Sequence, residues 1–84
     1  MTKPYHVKIA PRARKQIKEL TDKHSKIILK LIEALAVNPR PPGTKKIDGM
    51  TGLYSEPVSQ HRLIYKIEDQ DILILLIKDN RTLK

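Results

Sequence analysis

The stretch HRLIYKIEDQDILILLI, residues 61–77, decides the fold. From His61 to Glu68, Leu63, Tyr65 and Ile67 alternate with Arg62, Ile64 and Lys66, the two-residue period of a strand with one buried face. Asp69-Gln70-Asp71 then interrupts the pattern with turn-forming residues. Ile72 to Ile77 is uninterruptedly apolar. A strand apolar on both faces belongs inside its sheet, so the pattern predicts a central strand joined to its predecessor by a tight turn.

Towards the N-terminus, Gly49 and Gly52 precede Leu53 to Val58, which reads as a further short strand. Pro57 cannot donate to a ladder, which confines this strand to an edge or a bulge. The three strands form a meander. Ahead of them, Pro39-Arg40-Pro41-Pro42-Gly43 is a stiff connector. Before the connector, Ile27, Ile28, Leu31, Ile32, Leu35 and Ala36 recur at helical spacing. Ser25 is the expected N-cap, and the helix should end at Asn38, because a residue that precedes proline is pushed out of the α region. A shorter helix is expected from Pro11, with Ala13, Ile17 and Leu20 on one face. Tyr5 to Ala10 alternates Tyr5, Val7 and Ile9 against His6 and Lys8, as an opening strand does. The fold class expected is α+β: an N-terminal strand, a helical hairpin, then an antiparallel three-strand meander, with the helices packed on one face of a curved sheet.

Composition narrows the functional classes. With 84 residues the chain has room for one domain, 1–84, and a modest core, since a chain this short buries only ~60–65% of its unfolded surface. The absence of cysteine rules out disulfides and thiolate metal sites, which suits a cytoplasmic protein. No apolar h-region follows Met1, and the six-residue run Ile72 to Ile77 falls far short of the ~20 residues of a membrane helix. A soluble protein without a membrane partner is therefore expected. The net charge of +8 directs attention to phosphate-rich or acidic partners. Residues 1–46 carry 12 basic and 3 acidic side chains, and residues 47–84 carry 5 and 6. The excess thus lies on the helical half.

Several landmarks occur in order: Tyr5, Asn38-Pro39, Lys45-Lys46-Ile47 followed by Gly49, Gly52-Leu53-Tyr54, and His61-Arg62-Leu63-Ile64-Tyr65. Together they resemble the RelE/YoeB/ParE superfamily of bacterial and archaeal toxins, over residues 5 to about 81. The last piece looks like the YoeB-type branch. The resemblance implies a RelE-like toxin of a type II toxin–antitoxin system. Such a toxin is an endoribonuclease that cuts mRNA in the ribosomal A site without a metal or other cofactor, and a cognate antitoxin holds it silent. Its partners would be the antitoxin, the ribosome and mRNA.

Metal-free RNA cleavage moves a 2′-hydroxyl onto the adjacent phosphate, so the site must stabilise a phosphorane and exchange protons with two oxygens. Arginine, permanently charged and forked, suits the first task, which makes Arg62 the leading catalytic candidate. The resemblance places a functional arginine there and a second phosphate-gripping one at Arg81. The competing reading of Arg62 is a salt bridge to Glu68 or Glu56. Lys45 and Lys46 either grip the RNA backbone or form a solvated pair, and Tyr54 either stacks on a base or joins the core. His61 adjoins Arg62 and completes the RNA-contacting set, although strand alternation turns it to the opposite face. Proton-transfer groups are less evident. Where RelE-type members carry lysines, this chain has Ser55 and Pro57. Where YoeB-type members carry a glutamate it has Thr44 and Lys45, and Asp79-Asn80-Arg81-Thr82-Leu83-Lys84 contains no terminal His-Tyr. Two other functions suit the same fold: inhibition of DNA gyrase, as in ParE, and non-catalytic binding of RNA or ribosomes.

Overall fold

The computed structural model describes residues 4–47, 49 and 51–79. Strand β1 (His6–Ile9) leads into helices α1 (Pro11–Glu19) and α2 (Asp22–Val37); strands β2 (Lys45–Lys46), β3 (Leu53–Val58), β4 (His61–Glu68) and β5 (Asp71–Asp79) follow. One sheet holds all five strands in the order β1-β5-β4-β3-β2. Only β1 runs parallel to its neighbour, β5. Both strands of the 61–77 segment are therefore interior, as their composition requires.

Helix α1 opens on Pro11, where a missing N–H costs nothing. Helix α2 begins four residues earlier than an N-cap at Ser25 would have it, because the Thr21 hydroxyl accepts the His24 N–H and caps the first turn. Its C-cap is Asn38, in an extended conformation before Pro39. Strand β2 was not expected. Its two lysines carry no alternation to read, and only pairing with Ser55 and Tyr54 makes them a strand.

The core lies between the hairpin and one face of the sheet. Ala13 and Ile17 from α1 and Ile28, Ile32 and Leu35 from α2 pack with Leu63, Tyr65, Ile72, Ile74 and Ile77. In β5 the buried positions run 72, 74 and then 77, breaking the period of two. The cause is a bulge: Ile64 pairs with Leu76 but Tyr65 pairs with Ile74, so Leu75 is the extra residue. The strand is thus covered by helices on one face only, and its other face carries Leu73 and Leu76, both half-buried.

Beyond the reach of β1, the Gln16 side chain completes the edge of β5. Its Nε2 donates to Ile77 O at 2.9 Å and its Oε1 accepts from Ile77 N at 2.8 Å. Gly52 sits at φ 78°, and a Cβ there would lie 2.9 Å from the Ile67 carbonyl oxygen. Only glycine fits. The chain can then close the 47–53 loop through the bond from Ile47 N to Leu53 O at 2.9 Å. Among the described residues no helix is long and apolar enough to cross a membrane.

Candidate phosphate-binding face

Helices cover one face of the sheet, and the cross-strand register states what the other carries, since paired residues share a face. Arg62 lies between Pro57 and Lys78, Ile64 between Ser55 and Leu76, and Lys66 between Leu53 and Leu73. Lys45 is opposite Ser55, and Lys8 is opposite Leu73. The open face is therefore an apolar centre of Ile64, Leu73 and Leu76, ringed by Lys8, Lys45, Arg62, Lys66 and Lys78. At one end His6 Nδ1 approaches Asp71 at 3.6 Å and Lys66 approaches Glu68 at 3.8 Å. Both pairs are solvent-exposed and correspondingly weak.

Arg62 is the ordered cation of this face. Its Nη1 donates to Ser55 Oγ at 2.8 Å, and Ser55 is only 7% exposed. A neutral acceptor fixes the direction of the guanidinium without cancelling its charge, and leaves its other N–H donors available. Neither acid that could have neutralised it does so. Glu68 pairs with Lys66, and Glu56, opposite Leu63, is buried on the helical side of the sheet. Lys45, Ser55, Arg62 and Lys78, one from each of β2, β3, β4 and β5, thus share a single face, with Lys45 opposite Ser55, Lys78 opposite Arg62, and Ser55 diagonal to Arg62.

The remaining expected contacts lie elsewhere. Lys46 is opposite Tyr54 on the helical side. Tyr54 stacks on Tyr65 with ring centroids 6.0 Å apart. Arg40 donates from Nε to the Tyr54 hydroxyl at 3.1 Å, and its guanidinium carbon sits 5.1 Å from that ring's centroid. The phenol raises the pKa of Arg40 above its ordinary value through this bond. Tyr65 donates to Pro39 O at 2.7 Å, and burial pushes its phenol up, with the charge of Glu56 acting in the same direction.

His61 is at odds with an RNA-contacting role. It is 6% exposed, its ring meets His24 edge-on at 5.3 Å, and its Nδ1 has no hydrogen-bond partner. Alternation along β4 turns it away from Arg62. Of the residues singled out from the sequence, the open face brings together Arg62 and Lys45. Lys46, Tyr54 and His61 are on the opposite side, and Arg81 lies outside the described residues. Among the described residues no three His, Asp or Glu side chains group to hold a metal ion.

Sequence reasoning missed Ser55 and Lys78. Ser55 was read as the loss of a lysine rather than as the acceptor that orients Arg62. Lys78 was hidden by the bulge: counted by twos from Ile72 it would face the helices, and only the extra residue Leu75 turns it to the open face. A second basic surface lies on the helical side, where Ile9, Pro11, Arg14, Lys15 and Lys18 line a groove of about 360 Å³.

The family model described as ParE toxin of type II toxin-antitoxin system, parDE, matches residues 7–83. No curated protein matches the chain. Among solved structures, the archaeal RelE–RelB complex from Pyrococcus horikoshii OT3 is similar with a TM-score of 0.84 and 26% identity, covering 95% of this chain and 99% of that one. The YoeB dimer from Staphylococcus aureus is similar with a TM-score of 0.73 and 28% identity, covering 89% and 95%. The intact E. coli RelBE toxin–antitoxin complex has a TM-score of 0.78 at 20% identity, covering 89% and 95%, a likeness of fold.

Proposed function

This chain belongs to the ParE toxin family, within the RelE/YoeB/ParE superfamily of type II toxin–antitoxin toxins, and from that premise we propose that it is a ribosome-dependent endoribonuclease, acting in the cytoplasm as one domain and cutting mRNA without a metal. The observation that carries the proposal is the guanidinium of Arg62, held by Ser55 on an uncovered basic sheet face. A phosphate seated there meets a fixed fork of donors. As the 2′-hydroxyl attacks, negative charge grows on the equatorial oxygens, and a cation already oriented stabilises it without reorganising. Lys45 and Lys78 flank Arg62 and neutralise the neighbouring phosphates. A cognate antitoxin is the silencing partner, by analogy with the P. horikoshii toxin and its RelB. The test is cleavage of mRNA on translating ribosomes: the wild type should cut and Arg62→Ala should not. Intact mRNA with the folded wild type would overturn the proposal.

A second reading, inhibition of DNA gyrase, is favoured by the ParE description of the matching family. It also suits the set Lys45, Ser55, Arg62 and Lys78 on the open face, which contains no imidazole or carboxylate. Loss of gyrase supercoiling in the presence of the protein, with mRNA left whole, would select it.

A further inference from the structure

Glu56 is a carboxylate in an unexpected place. It is 8% exposed, on the helical side of β3, and no ion pair reaches it among the described residues. A buried charge without a counter-ion is costly and calls for a structural reason. Among the described residues it is the Thr44 hydroxyl that donates to Glu56 Oε1. Thr44 immediately precedes β2, a strand of two residues, too short to hold itself against β3 by ladder bonds alone. From Thr44 the backbone alternates: the threonine faces Glu56 on the helical side, and Lys45, one residue on, faces Ser55 and the open side. The Thr44 N–H also donates to Pro41 O at 3.1 Å, anchoring the other flank of the residue to the proline connector.

We propose that Glu56, through its hydrogen bond from Thr44, is a positioning residue that docks β2 on β3 and thereby holds Lys45 opposite Ser55, on the sheet face that carries Arg62, to meet a phosphate. The inference rests on the RNA reading of the open face. The bond is made on one side of the sheet and its effect is felt on the other. The pair is charge-assisted and shielded from water, the setting in which a single hydrogen bond holds a short segment in place.

Salt dependence separates positioning from general stability, because each lysine–phosphate contact to a single strand contributes about 0.7 to the slope of log affinity against log salt. The experiment measures binding of the full chain to a labelled single-stranded oligouridylate across a KCl titration. Lys45→Ala is expected to lower the slope by about 0.7. Thr44→Val, which removes no charge and keeps the β-branched shape, should lower it by the same amount, and the double variant should lower it no further. Glu56→Ala breaks the bond from the other end and should behave like Thr44→Val, whereas Thr44→Ser, which keeps the hydroxyl, should restore the wild-type slope. If folded Thr44→Val and Glu56→Ala both keep the full slope while Lys45→Ala lowers it, the positioning role is wrong and the RNA reading stands. Absence of salt-dependent binding by the wild type would remove the RNA reading, and this inference with it.

Discussion

The Arg62 guanidinium and the Ser55 hydroxyl meet at 2.8 Å across the β3–β4 pair, on the sheet face that the helices leave uncovered. The bond costs the arginine none of its charge, which distinguishes it from the salt bridges that usually immobilise a surface arginine. Ser55→Ala should therefore leave the fold intact and lower RNA cleavage by roughly tenfold, because a misdirected guanidinium forfeits part of the transition-state stabilisation. Arg62→Lys should not substitute for arginine, since an ammonium lacks the fork. Single-turnover cleavage on programmed ribosomes, beside thermal melts of each variant, checks both; full activity in Ser55→Ala would show that the bond is incidental.

Tyr65 is fully buried, and its hydroxyl is satisfied by the Pro39 carbonyl at 2.7 Å. Tyr65→Phe is expected to cost about 1–2 kcal/mol, leaving that carbonyl without this donor. The raised pKa of Tyr65 adds a pH signature. The folded state holds the phenolic proton more tightly than the unfolded state, so the associated stability is complete below the ordinary pKa of about 10 and is lost as pH rises through the folded value. Urea midpoints should fall more steeply above pH ~10 in the wild type than in Tyr65→Phe.

Gly52 has no tolerable replacement with a side chain. Its φ of 78° is unfavourable for other residues, and the added Cβ would press on the Ile67 carbonyl at 2.9 Å. Gly52→Ala should destabilise by more than about 1 kcal/mol. Denaturant unfolding monitored by circular dichroism measures the loss. An unchanged midpoint would mean that the 47–53 loop can move aside.

Gln16 completes the sheet from helix α1, with both amide atoms bonded to Ile77. Gln16→Ala should cost roughly 1–3 kcal/mol, the range for stranding partly buried backbone groups. Hydrogen exchange is the sharper measurement: the Ile77 amide should lose protection while that of Ile72, bonded within the ladder, keeps it.

The strand period of 61–68 was legible because β4 buries one face, and burial imposes alternation. The end of α2 was legible because proline forbids its continuation. Other features left no local signal. The bulge at Leu75 lies inside an uninterrupted apolar run, where no change of period can be seen, yet it decides that Ile77 joins the core and Lys78 the open face. The two-residue β2 is a strand only through its partner.

By itself the sequence determined the order of every element except β2, the apolar faces that must meet and the basic excess of the helical half, all consequences of local stereochemistry and residue type. It also singled out Arg62, through resemblance and the chemistry of the guanidinium. Tertiary structure decided which cations share a face with it. Register and the bulge put Lys78 opposite Arg62 and Lys45 on the same face, turned His61 and Tyr54 to the helical side, and made Ser55 the group that aims the arginine. Those choices depend on cross-strand pairing between residues distant in the chain, where a shift of one position moves a side chain to the opposite side of the sheet.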